Sequence, residues 1–147
     1  MKIIDQTPLI DDKGEQPLIE YAVANASGPA VHRIDLASHK VQLKPDVEYQ
    51  WSISVVPNPN ERSSDVMAGG ALKRVGVPQS IAARRAQTTD KAQLARLYAS
   101  AGIWYDAIAL YSELIEQRPG DRALRESRAA LLEQVGLKDV AAYDRRP

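Results

Sequence analysis

The sequence predicts an α+β protein, with an N-terminal antiparallel β-sheet or partial sandwich followed by a C-terminal helical region. Apolar residues alternate with polar ones before residue 77, which is typical of strands, and recur every three or four residues after residue 78, which is typical of helices. Prolines and glycines separate the short N-terminal runs, as turns require. We expect a β region at residues 1–77 and a helical region at residues 78–147, packed together as one unit.

Four stretches carry the strand pattern. Val47–Val55 alternates apolar residues with Glu, Gln and Ser, which predicts one buried and one solvent-facing side. Val66–Val75 predicts a second strand, in which the pair Gly69–Gly70 indicates a bulge or a close backbone approach. Leu18–Ala24 and Val31–Leu36 predict a further hairpin. We expect about four to six strands in all.

Two antiparallel helices joined by a glycine are predicted within Leu94–Pro119, and a helical turn at Gln79–Ala86 precedes them. Gly102 can adopt the left-handed conformation that ends the first helix, and Pro119 cannot continue the second. Each helix has one apolar face, because its apolar residues are spaced at i, i+3, i+4 and i+7. These residues are Leu94, Leu97, Tyr98 and Ala101 in the first helix, and Ala107, Leu110, Tyr111 and Leu114 in the second.

This hairpin is similar to a tetratricopeptide unit, a repeat of about 34 residues with small and aromatic residues at fixed positions. The matching residues are Leu94, Ala95, Tyr98, Ala107, Tyr111 and Pro119. Gly102 and Gly136 are 34 residues apart, and a third helix is expected to begin near Asp121. Such arrays usually need about three repeats, so we expect the hairpin to pack on the strand region.

Composition excludes several classes of function. The 147 residues carry 19 basic and 19 acidic side chains, so neither nucleic acid nor an anionic membrane is an expected partner. The sequence has no cysteine, which excludes disulfides, thiolate catalysis and cysteine-based zinc sites. It has no apolar run of about 18 residues and no signal-peptide core, so we expect no membrane insertion.

Both histidines of the chain lie in one short run. Its residues His32, Asp35 and His39 could ligate a metal if the segment were helical. The segment instead has the pattern of a strand and a turn, which separates the side chains. Ser38 is adjacent to His39 in sequence only, which is weak support for a nucleophile and its base. We therefore expect no catalytic residue, no metal, no cofactor and no enzymatic activity.

Trp104, Tyr105 and Asp106 are the candidate binding residues, at the start of the predicted second helix. Their rings could stack on a sugar or a peptide, and the carboxylate could accept hydrogen bonds. The structural alternative is favoured, because an acidic residue suits the first turn of a helix and an aromatic residue just past the glycine packs back on the preceding helix.

A basic ridge is a second candidate, formed by Arg122, Arg125 and Arg128 on the third helix. Glu126 and Glu133 are interleaved with these arginines. The mixture of charges favours a solvated or helix-pairing face over a phosphate site.

Several short runs resemble one uncharacterised bacterial family. They are Leu43–Trp51, Arg62–Asp65, Gly70 with Arg74–Val75, Leu97–Ala107 and Leu131–Leu137. Together they are similar to the domain of unknown function 928, and the run from Gly102 to Ala107 is the most specific part. The family usually has tryptophan where this chain has Arg128, and often a cysteine near Pro57. The resemblance implies no activity, because none is established for the family.

Two functions are predicted as alternatives. The first is a non-catalytic protein-interaction or accessory module, with an unidentified protein partner and a homodimer through an open sheet edge. The second is a small-ligand binding protein for carbohydrate or peptide, which would use Trp104, Tyr105 and Asp106. Family members typically carry a signal peptide, which implies an extracytoplasmic, periplasmic location. The sequence as written begins without one, which leaves a cytoplasmic location open.

Overall fold

The structure is a computed structural model that describes residues 17–20, 22 and 31–146. Within these residues the chain forms two strands followed by five α-helices, which confirms the α+β class. It divides into two compact units, Met1–Gly76 with the strands and Val77–Pro147 with the helices. That the β and helical regions pack together as one unit stays a prediction.

The two strands are β1, Glu48–Val55, and β2, Val66–Lys73. They pair antiparallel along their whole length in one unbroken register, so both predicted strands are confirmed and the alternative of a bulge is wrong. The polar loop between them contains a short 3-10 helix, Arg62–Ser64. This single two-stranded sheet is smaller than the four to six strands expected, over the part of the chain that the structure describes.

Trp51 and Gly70 are directly opposite each other in this hairpin. A Cβ added at Gly70 would lie 2.8 Å from Cζ2 of the Trp51 indole, which is closer than such atoms approach. The ring therefore packs over the glycine, and only a residue without a side chain leaves it room. The predicted close approach at the glycine pair is confirmed.

Tyr49 is the centre of the core of the first unit. It is buried against Ile19, and its hydroxyl accepts a hydrogen bond from the backbone N–H of Lys44 at 3.0 Å. This bond satisfies the polar end of a ring whose body is apolar. The partly buried residues around the pair are Leu36, Val41, Leu43, Val47, Trp51 and Leu72.

The solvent-facing side predicted for β1 is only partly present. Tyr49 is buried and Trp51 half-buried, as the alternation predicts, but Ser54 is buried as well. Val56 lies two residues further on the same side and is also buried. The end of β1 is therefore covered on both faces, which a period-two pattern does not reveal.

The predicted strand Val31–Leu36 is wrong. Residues 31–35 have no regular structure, and a turn occupies residues 36–40. Asp35 stabilises this turn, because its carboxylate accepts from Ala37 N–H and its carbonyl accepts from the Ser38 hydroxyl. Local bonds of this kind compete with a strand ladder. Most of the strand predicted at Leu18–Ala24 lies outside the described residues.

The helices follow in one run. They are α1 (Gln79–Gln87), α2 (Lys91–Ser100), α3 (Trp104–Gln117), α4 (Arg122–Gln134) and α5 (Lys138–Asp144). The predicted hairpin and third helix are confirmed as α2, α3 and α4, and the helical turn expected at Gln79–Ala86 is the full helix α1. None of the helices described is long and apolar enough to cross a membrane.

The turns from α2 to α3 and from α4 to α5 have the same geometry. Each contains a glycine in the left-handed region, Gly102 at φ +73° and Gly136 at φ +84°. At the first turn the Gly102 N–H donates to the carbonyl of Ala99, and the Ile103 N–H donates to the carbonyl of Tyr98. The N–H groups of Gly136 and the residue after it make the equivalent bonds at the second turn. These bonds satisfy carbonyls that the ending helix leaves free. Two helix–turn–helix pairs are thus repeated at a spacing of 34 residues.

The helical core confirms the faces predicted for α2 and α3. Ala95 and Ala107 are fully buried where the two helices approach, and Tyr98 and Tyr111 are buried beside them. The remaining buried members of this cluster are Leu114, Ile115, Leu124 and Leu131. Small residues at the crossing let the two helices pack closely, and the aromatic rings fill the space alongside.

Gly70→Ala is expected to destabilise the first unit. The added methyl group must displace the Trp51 indole, and overpacking of this kind costs about 1–3 kcal/mol. Gly76→Ala is the matched control, because a Cβ there meets nothing within 4 Å. Urea unfolding monitored by tryptophan fluorescence compares the two variants. Equal midpoints would show that the indole does not pack over Gly70.

Candidate functional site

The candidate site begins at Trp104, the first residue of α3. Its side chain is half-buried, and the indole N–H donates to the carbonyl of Leu131 at 3.0 Å. Leu131 is in the last turn of α4, where carbonyls lack an intrahelical partner. The N–H of Val135, four residues further on, donates instead to the carbonyls of Leu132 and Glu133. The indole therefore caps the end of α4 and joins the two helix pairs.

Tyr105 and Asp106 have more solvent contact than Trp104. Tyr105 is 46% exposed, with its ring edge-to-face against Trp104 at a centroid distance of 5.2 Å. Asp106 is exposed in the first turn of α3, where the helix dipole favours an acid. The structure thus keeps the three candidate binding residues together, but it directs Trp104 toward α4.

The residues considered for metal binding or catalysis do not assemble. His32, Asp35, Ser38 and His39 are exposed, and they lie along the irregular segment and turn at residues 31–40. Among the described residues no group of three His, Cys, Asp or Glu side chains is placed to hold a metal ion.

Arg128 is buried, so of the two alternatives predicted for the arginine face, solvated or helix-pairing, the helix-pairing one holds at this position. Its guanidinium donates to both oxygens of Asp144, from Nε at 2.8 Å and from Nη2 at 2.5 Å, and Nη1 donates to Ser112 Oγ at 2.9 Å. Arg125 adds a longer contact to the same carboxylate, at 3.7 Å. Arg128 therefore joins α3, α4 and α5, as a helix-pairing residue, while Arg122 is exposed as expected.

A second ionic cluster lies at the surface between α4 and α5. The Arg145 guanidinium donates to the carboxylates of Glu126 and Glu133, which are seven residues apart on one face of α4. Hydrogen bonding to Arg145 lowers the pKa of Glu133, and the nearby charges of Arg145 and Lys138 act in the same direction. The two carboxylates in turn raise the pKa of Arg145.

Sequence reasoning missed the partners of Arg128 and Arg145. Asp144 is 16 residues from Arg128 and on a different helix, so no local spacing pairs them. One signal was available: Ala141 and Asp144 are three residues apart on the short last helix, which places a small residue and an acid on one face.

The fold and site define an α+β protein whose helices are linked by the indole of Trp104 and by the buried pair of Arg128 and Asp144. The chain belongs to the family described as Domain of Unknown Function (DUF928), whose model matches residues 6–144. The family resemblance seen in the sequence is thereby confirmed. No curated protein and no solved structure is significantly similar to the chain.

Trp104→Ala is expected to lower the free energy of unfolding by about 2–4 kcal/mol, because it removes a half-buried ring and leaves the Leu131 carbonyl without its donor. Trp104→Phe keeps most of the packing and should cost only about 1–2 kcal/mol. His32→Ala and His39→Ala are the surface controls, each expected within about 0.5 kcal/mol of wild type. Chemical unfolding measures all four variants. A midpoint for Trp104→Ala equal to that of the histidine variants would contradict the structural role.

Glu133 is expected to make the helical unit sensitive to acid. Because its folded pKa is lowered, its contribution is present above the ordinary glutamate pKa of about 4.3 and is lost as the pH falls through the folded pKa. Urea midpoints at pH 6 and pH 3.5 should differ less for Glu133→Gln than for wild type. Arg145→Met should reduce the difference in the same way. An unchanged pH dependence in both variants would show that the pair does not contribute.

Proposed function

We propose that this protein is a non-catalytic interaction module that binds a protein partner through the β1–β2 hairpin. The observation that carries the proposal is the exposure of β2, where Val66 is 62% exposed and Met67 is 70% exposed. Large apolar side chains on an exposed strand favour pairing with another strand. Self-association through this strand gives the homodimer expected from an open sheet edge.

The state of the polar groups supports a non-catalytic role. The most organised constellation in the described residues, Arg128 with Asp144 and Ser112, is buried and its charges are paired within the protein. Trp104 likewise donates its N–H to the backbone. Groups in such positions hold helices together and leave no free nucleophile or base beside a substrate.

We also propose that the helical unit is a tetratricopeptide-like scaffold. Its support is the 34-residue spacing of Gly102 and Gly136, together with the small residues Ala107 and Ala141, both fully buried. In this proposal α2, α3 and α4, which share one core, give the module rigidity. The family habit of carrying a signal peptide supports an extracytoplasmic, periplasmic location, which cell fractionation of the native gene product would test.

A second candidate function is binding of a carbohydrate or peptide. The exposure of Tyr105 beside the exposed Asp106 favours it, because a ring and a carboxylate at one surface can stack on and hydrogen-bond to such a ligand. Tyr105→Ala distinguishes the two functions: it should abolish ligand binding if this candidate holds, and leave protein binding by the hairpin unchanged.

Met67→Lys is expected to weaken self-association at least tenfold, because it places a charge at the most exposed large apolar residue of β2. Val75→Lys is the control. Val75 is, like Met67, an exposed apolar residue of the first unit, but it lies outside β2. Light scattering over a range of concentrations measures both variants and the wild type. A wild-type chain that stays monomeric at high concentration, or equal effects of the two lysines, would contradict a homodimer through β2.

A further inference from the structure

We propose that α5 is a detachable helix, held on α3 and α4 mainly by ion pairs, and that it exchanges with the α5 of a second copy of the chain. The inference goes beyond the proposed function and does not rest on it, because it concerns the helical unit and not the β1–β2 hairpin.

The apolar contacts that hold α5 are few. Of its seven residues only Ala141 and Asp144 are buried, and Val140 and Tyr143 remain exposed. In contrast, α2, α3 and α4 share a core cluster of eight buried residues. A helix of seven residues is also too short to be stable on its own. The docking of α5 therefore depends on its polar contacts more than on burial.

Those polar contacts are ionic, and water can replace them. Asp144 pairs with Arg128, and Arg145 pairs with Glu126 and Glu133. When α5 leaves, both charges of the buried pair return to water, and the regained hydration offsets much of the lost attraction. The exposed cluster at Arg145 adds a smaller contribution, because solvent screens its charges. Local opening of α5 should thus cost much less than unfolding of the unit.

The surface that α5 covers defines what can replace it. It is lined by the buried residues Ala129 and Leu132 and by the partly buried Trp104 and Ile108, and Arg128 lies beside it. An occupant must supply a small apolar residue and, three positions later, a carboxylate. The α5 of a second copy supplies both as Ala141 and Asp144, and its Arg145 matches the two glutamates of α4. Charge complementarity therefore assigns the surface to a second copy.

Gly136 is the hinge for this exchange. Its φ of +84° closes the turn, and the N–H groups of Gly136 and Leu137 bond back to Glu133 and Leu132. If this residue took the helical conformation instead, α4 would continue straight and carry α5 away from its own groove. A Cβ at Gly136 meets nothing within 4 Å, so alanine there acts on the backbone conformation alone.

The first experiment compares Gly136→Ala with Gly102→Ala by light scattering over a range of concentrations. Gly102 has the same left-handed conformation and the same free space, but it joins helices that share the large core. Both variants carry Met67→Lys, so that any association through β2 is weakened and is the same in both. We expect Gly136→Ala to dimerise at least tenfold more strongly than Gly102→Ala. Equal, monomeric behaviour of two folded proteins would overturn the proposal.

The second experiment uses charge reversal and does not depend on the hinge. Arg128→Asp and Asp144→Arg each place like charges within one chain, so each variant alone should lose amide protection in α5. On mixing, opposite charges meet only if the helices exchange, and a heterodimer of twice the mass should form. The double variant Arg128→Asp/Asp144→Arg should stay monomeric with α5 protected.

A mixture that remains monomeric, while the double variant folds with α5 protected, would overturn the exchange. If the double variant does not fold, the Gly136→Ala comparison alone decides. Binding of an added peptide with the sequence of residues 137–146 to Asp144→Arg, without heterodimer formation in the mixture, would assign the surface to helical partners in general and would likewise overturn exchange between copies.

Discussion

The hydrogen bond from the Trp104 indole to the Leu131 carbonyl connects the two helix pairs of this protein. It satisfies a carbonyl in the last turn of α4, and it holds the start of α3 against that turn. Tyr98 and Tyr111 then pack beside the crossing of α2 and α3, and Trp104 also packs against the small cluster that contains Ala141 of α5. If this bond were absent, the repeated glycine turns would still form, and the pairs would keep the packing of Leu124 and Leu131 but lose this polar link.

Several polar side chains of the helical unit bond to helix ends or to a neighbouring helix. The two N-terminal caps, Asp90 and Asp121, accept from backbone N–H groups at the starts of α2 and α4. Arg128 and Asp144 satisfy each other where water is excluded. Such groups stabilise the arrangement of helices once the chain has folded. A substitution that removes one member of the pair leaves the other as an unpaired buried charge. This is the physical reason that we propose a structural role for these groups.

The sequence predicted what depends on local pattern and failed where distant residues decide. The periods of β1 and of α2 and α3 identified these elements, and Gly70 and Gly102 were recognised for the reasons that the structure confirms. The strand at Val31–Leu36 failed because side-chain bonds from Asp35 and Ser38 form a turn that strand periodicity does not register. For Arg128 the sequence leaves a solvated and a helix-pairing face open, because its partner Asp144 is on another helix. For the same reason, the indole of Trp104 could be expected to pack, but its acceptor could not be named.

We propose that the Trp104 indole N–H is committed to the Leu131 carbonyl and not to a ligand. Hydrogen exchange of its indole N–H tests this most directly, by NMR, with the signal assigned through its loss in Trp104→Phe. We expect exchange at least tenfold slower than for a solvent-exposed indole, and no change when carbohydrates or peptides are added. Exchange at the rate of an exposed indole, or a shift of this signal on ligand addition, would contradict the bond to Leu131.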